Sequence, residues 1–222
     1  MNLNIPYMET DNKLLNDAYR IAAGDIVGNI VYYENGLLTE EKPCMIAGLD
    51  YNTPWTRDTA INIWNALSIL SPEVSKNTLL AVLEEEEGNI YIGGQYWDSI
   101  IWMIGAREYC RFHKDDNFYR LAFEAGRNSV HRLEEDEFDE EDGLFRGPAV
   151  YGDGIAAYPD KYSKCPNQGS GILEWVDYPG NPVYPKGYGI PMKALSTNCV
   201  YFKAYEILAE MAHALGEPAK EF

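Results

Sequence analysis

Basic residues are scarce in this chain of 222 residues: 18 lysines and arginines face 35 aspartates and glutamates. The resulting formal net charge of -17 argues against nucleic acid or an anionic membrane surface as partner, because both repel such a chain. Histidine is rarer still, and His113, His131 and His213 stand at no metal-ligand spacing. Cys44, Cys110, Cys165 and Cys199 lie far apart with no C-x-x-C pair, which argues against a zinc site or a disulfide framework and for reduced thiols. No G-x-S-x-G, Walker or dinucleotide motif occurs, and the acidic run 134–142 fails the EF-hand pattern because Phe138 occupies a ligand position. The expectation is therefore no metal and no cofactor. No apolar run approaches the roughly 18 residues of a membrane span, and MNLNIPYMETDNKLL has no basic or apolar signal region. A soluble, cytoplasmic protein is expected.

What the chain does have is apolar material, 46% of its residues, enough for a sizeable core in one domain over 1–222. Helical periodicity dominates and predicts six helices, an all-α fold. They run over about 10–27, 58–70, 72–88, 97–112, 116–135 and 192–215. The second and fourth are apolar nearly all round, which predicts burial on every side. The first, third and fifth are one-sided, so the pattern alternates inner and outer helices in two layers. Ser71-Pro72-Glu73 reads as cap, N1 proline and first-turn acid; Asp115 or Asp116 caps the fifth helix, and Gly216 ends the sixth. Connections from inner to outer helices are short. Those from outer to inner, 28–56, 88–96 and 136–191, are long and should gather at one end, around the starts of the inner helices. Short hairpins are expected at GNIVYY and GNIYIGG.

Two inner helices open alike, on Trp55-Thr56-Arg57-Asp58 and on Tyr96-Trp97-Asp98. Aspartates at such positions can simply cap a helix. The added tryptophans, tyrosine and arginine point further, since indole faces stack on sugar rings and charged groups hold sugar hydroxyls. A third stretch, EDGLFRGPAVYGDGIAAYPD, sets Asp153 between two glycines. It reads either as a plain turn or as a carboxyl shielded by Tyr151, Ile155 and Tyr158, with the raised pKa of a general acid.

At these residues the chain resembles the (α/α)6-barrel glycosidases: trehalases, glucoamylases and the glucosidase domain of glycogen-debranching enzymes. WTRDTAINIWNA is similar to the W-x-R-D segment of debranching-type members, and GGQYWDSIIWMIGAREY to the trehalase Y-x-W-D-S-Y-W signature. The resemblance implies inverting hydrolysis of a glucoside or related neutral oligosaccharide. By position Asp153 becomes the general acid; Trp55, Arg57, Asp58, Tyr96, Trp97 and Asp98 bind the sugar. Twelve helices need roughly 350–450 residues at ordinary helix and loop lengths. Six are present, so the resemblance implies the N-terminal half of a toroid with the late general base missing. Glu174 and Asp177 are the substitutes within the chain. The open edges of such a half predict association into a homodimer. The alternative is a non-catalytic carbohydrate-binding helical domain that uses the same aromatic loops.

Overall fold

A computed structural model describes residues 5–48, 50–94, 96–150 and 192–222, and helices dominate them. α1 spans Lys13–Gly28 and is capped by Asn12, whose side chain accepts from the Leu14 and Leu15 amides. No residue of α1 is buried, and Leu14 and Ile21 are 80% and 66% exposed. Three of its apolar residues are small alanines, and of this helix only Ile26, near its end, packs on the core.

The hairpin expected at GNIVYY forms from β1 (Ile30–Tyr33) and β2 (Lys42–Met45), with Ile30 opposite Met45. α2 (Thr56–Asn62), a π turn (Ile63–Leu67) and α3 (Ser68–Leu70) make one continuous rod. Sequence periodicity predicts this rod to be buried on every side; the structure corrects that. Ala60, Ile63 and Leu67 are buried, yet Trp64 and Ile69 remain 50% and 59% exposed. The wide turn breaks the 3.6-residue period, and neighbours cover only one flank.

α4 (Pro72–Ala81) starts on the expected proline but stops well before Gly88. Residues 83–86, expected as helix, form β3 (Leu83–Glu86), paired with β4 (Asn89–Ile92). The turn between them places Glu87 at φ 51° and Gly88 at φ 81°. Two successive left-handed residues are the geometry of a tight hairpin loop, and Gly88 adopts it without steric penalty. α5 (Trp97–Phe112) follows, then α6 (Asp116–Glu137), whose cap Asp115 accepts from the Phe118 amide. β5 (Phe138–Asp139) and β6 (Leu144–Phe145) form a minimal hairpin. α7 (Leu195–Leu215) starts later than the expected Met192 and ends on Gly216 at φ 72°, where the Glu217 amide bonds back to the Ala212 carbonyl.

α5 is the centre of the core, with Ile100, Trp102, Met103 and Ala106 all fully buried. Each fully buried large side chain contributes about 1.5–3 kcal/mol. α2 packs along one side of α5 and α7 along another, while α4 and α6 also lie against it. The α2 crossing is close: a Cβ built on Gly105 would lie 2.8 Å from the Ala60 Cα. Only glycine allows backbones to approach that far. α2, α5 and α7 run parallel, since the first turns of all three meet at one end. Among the described residues no helix is long and apolar enough to cross a membrane.

Candidate functional site

The starts of α2 and α5 are tied together by their own side chains. Thr56 Oγ1, in the first turn of α2, donates to the Gly93 carbonyl at 2.8 Å, which anchors the link between β4 and α5. That link turns through two left-handed residues, Gly94 at φ 111° and Tyr96 at φ 50°. For a tyrosine this backbone is strained, and its neighbours must hold it there. The turn delivers Trp97 and Asp98 to the mouth of α2.

Arg57 joins the two helices. Its Nη1 donates to Asp98 Oδ2 at 3.3 Å, its Nε lies 3.6 Å from Asp58 Oδ2, and its guanidinium stands 5.1 Å above the Trp55 ring. Tyr51 meets Trp55 edge-on, with ring centroids 6.3 Å apart. Burial is graded across the group: the side chains of Asp98, Arg57 and Asp58 are 13%, 19% and 33% exposed. Trp55 is more open, and Trp97 is buried in an apolar cluster with Ala60 and Ile101.

Asp98 is the electrostatic anomaly. Its Oδ1 is buried and has no hydrogen-bond partner among the described residues. Burial pushes its carboxyl up to about 6, against the pull of Arg57 and with added repulsion from Asp58. Arg57 thus lies within reach of both carboxylates.

Tyr96 links this group to a second strip of chain. A Cβ on Gly147 would lie 3.2 Å from the Tyr96 ring, and Val150 packs against the cluster that holds Trp97. Residues 144–150 run along the first turn of α7. Asn198 Oδ1 accepts from the Phe145 amide at 2.8 Å while its Nδ2 donates to the Phe145 carbonyl at 3.0 Å. The Gly147 amide donates to the Met192 carbonyl, Thr197 donates to Pro148, and the Val150 amide donates to Ser196 Oγ. Asp139 and Asp142 hold Lys193 at 2.8 and 2.5 Å, and Arg146 reaches Asp139 at 2.6 Å. The Lys193 hydrogen bond, chief among several, holds the Asp139 carboxyl below its usual range. Asp139 and Asp142 thus anchor this strip, and Glu137 in the same acidic run is 5% exposed.

Of the residues expected to bind, Trp55, Arg57, Asp58, Tyr96, Trp97 and Asp98 fall at this one end. Asp153 lies outside the described residues, as do Glu174 and Asp177. Sequence reasoning missed Asn198, Arg146 and Glu137. A signal existed for Glu137, which continues the buried stripe of α6 seven residues beyond Val130. Asn198 and Arg146 carry none, because their partners are backbone and side-chain groups distant in sequence. Among the described residues no group of three His, Cys, Asp or Glu side chains could hold a metal ion.

What remains is a cation fixed between two carboxylates over an indole face. Such a group offers paired acceptors and paired donors to a polyhydroxylated ligand. No family model matches this chain, and no curated protein or solved structure is similar to it.

Proposed function

We propose that the chain is a glycosidase-like helical domain that binds a neutral sugar, a glucoside or related oligosaccharide, at the joined starts of α2 and α5. One observation carries the reading: Arg57 reaches across to Asp98 with Asp58 beside it and Trp55 beneath it. The two carboxylates accept from adjacent hydroxyls, the guanidinium donates, and the indole takes the flat apolar face of the ring. Two acids on one arginine also disfavour an anionic sugar. The reaction of this reading is hydrolysis with inversion, in which water replaces the leaving alcohol.

The same reading makes the fold part of an (α/α)6 toroid. Parallel α2, α5 and α7, with α4 and α6 packed against α5, are compatible with three inner and two outer helices of such a ring. The flanks of this row carry exposed apolar side chains: Trp64 and Ile69 at the α2 edge, Leu195 and Phe202 at the α7 edge. A two-fold axis parallel to the helices would set one edge of a copy against the other edge of its mate, closing six inner helices. A second copy is therefore the partner this reading favours.

Calorimetric titration with neutral glucosides, paired with an aryl-glycoside hydrolysis assay, tests the site. Binding weakened about tenfold or more by Trp55→Ala and by Asp58→Asn is the expected result. Binding without turnover would favour a non-catalytic carbohydrate-binding domain, and the absence of both would end the reading.

A further inference from the structure

We infer that Tyr96 is a positioning residue of the sugar site: its ring, seated on Gly147, holds the backbone turn that sets Asp98 against Arg57. This role rests on the sugar-binding reading above, and within it Tyr96 acts behind the site rather than on the ligand. Tyr96 stands at φ 50° and ψ -131°, outside the regions open to residues with a side chain. The conformation is that of the first central residue of a type II′ turn, a position dominated by glycine. Glycine would adopt it without steric cost, and Gly93 and Gly94 stand only three and two residues upstream. A tyrosine occupies the position instead, so the contacts of its side chain have to offset the strain.

Those contacts reach a different part of the fold. A Cβ on Gly147 would lie 3.2 Å from Tyr96 Cδ1 and 3.5 Å from its Cβ and Cγ, so the base of the ring rests on the strip backbone. Gly147 is itself at φ 136°, a second conformation that favours glycine. The Gly147 amide donates to the Met192 carbonyl at 2.9 Å and Thr197 Oγ1 donates to the Pro148 carbonyl, which fixes this seat to the start of α7. Tyr96 also packs against the cluster of Ala60, Trp97 and Ile101, as do Val150 of the strip and Val200 of α7. Ser99 Oγ donates to the Tyr96 carbonyl at 3.0 Å and closes the turn into α5. The ring thus ties the start of α5 to the start of α7, while Thr56 and Arg57 tie it to the start of α2.

Asp98 follows Tyr96 by two residues, and its Oδ2 accepts from Arg57 Nη1 at 3.3 Å. Rotation of the backbone at residue 96 would swing Trp97 and Asp98 together and carry Asp98 off Arg57. The seated ring selects the observed turn, so the site is assembled before a sugar arrives. With glycine at 96 the same turn stays open to the backbone, but nothing selects it. A sugar then binds only the fraction of molecules in which Asp98 faces Arg57, and its apparent affinity falls by that fraction.

Calorimetry and stopped-flow tryptophan fluorescence on the full chain, with methyl glucosides as ligands, test the role. Tyr96→Gly is expected to weaken binding about tenfold or more, with the loss in the association rate and the dissociation rate little changed. Tyr96→Phe keeps the ring and should recover most of the loss. Gly147→Ala presses on the ring from the strip and leaves residue 96 intact; it should give the same division of rates, and it carries the test if Tyr96→Gly does not fold. A dissociation rate that rises while association is unchanged would make Tyr96 a direct sugar contact and overturn the positioning role. Unchanged affinity with a lower melting temperature would make the residue merely structural and overturn it too, with the sugar site intact in both cases. If the wild type binds no glucoside, the underlying reading fails and the role falls with it.

Discussion

Replacing Asp98 by asparagine is expected to stabilise the fold at neutral pH, although it removes an ion pair. In the unfolded chain this carboxyl ionises near 3.8, and in the folded one near 6. Between those values the folded protein keeps a proton that the unfolded chain releases, so stability falls as pH rises through the window. Above it the whole penalty of an ionised, enclosed carboxylate is present. A tenfold change in proton affinity is worth about 1.4 kcal/mol, so a rise from 3.8 to about 6 sets the penalty at about 3 kcal/mol. Asparagine mimics the neutral carboxyl and can still accept from Arg57, so most of that figure should return as stability. Urea unfolding of both proteins at several pH values measures it. The expected difference is about 2–3 kcal/mol in favour of the variant at about pH 7.5, shrinking toward zero near pH 3.5. A variant less stable than wild type at about pH 7.5, or a difference that does not vary with pH, would refute the reasoning. Either outcome would mean that Arg57 outweighs burial.

Other expectations follow from the same packing. Gly105→Ala places a methyl against the Ala60 backbone and should destabilise by about 1–3 kcal/mol, read as a lower melting temperature. Because it pushes α2 from α5, it should also weaken sugar binding; unchanged stability would mean the crossing is looser than it looks. Asn198→Ala removes both hydrogen bonds to Phe145 and should cost about 1–3 kcal/mol, with Asn198→Asp recovering only the bond from the Phe145 amide. Burial pushes the Cys44 and Cys110 thiols up to about 12, so both should resist a thiol reagent until denaturant is added. Exposed Cys199 should react at once, and Cys199→Ser should remove that fast phase. Finally, light scattering should report a dimer that Trp64→Glu dissociates; a monomeric wild type would rule out closure by a second copy.

The helices and several of their ends were legible because their causes are local, although Ser71 makes no side-chain cap bond at the start of α4. Asp115, Pro72 and Gly216 act on amides, backbone angles and carbonyls within a few residues, so a window of sequence contains the whole interaction. One strand of each of the first two hairpins, at GNIVYY and GNIYIGG, was legible for the same reason, through apolar and aromatic runs bounded by glycines. The reading failed where the cause was distant or geometrically subtle. Residues 83–86 look helical beside α4, but the left-handed turn at Glu87-Gly88 and pairing with 89–92 draw them into a strand. The π turn at 63–67 leaves no mark in composition, yet it decides that Trp64 faces outward.

The sequence by itself determined that helices would dominate and that two of them would open on Trp-x-Arg-Asp and Tyr-Trp-Asp. Only the tertiary structure decided what those openings do. Capping, stacking and proton transfer all use the same residue types, and they differ in burial and in partners some forty residues away. Arg57 reaching Asp98, and the enclosure that raises the Asp98 carboxyl, exist only once α2 and α5 have packed at Ala60 and Gly105.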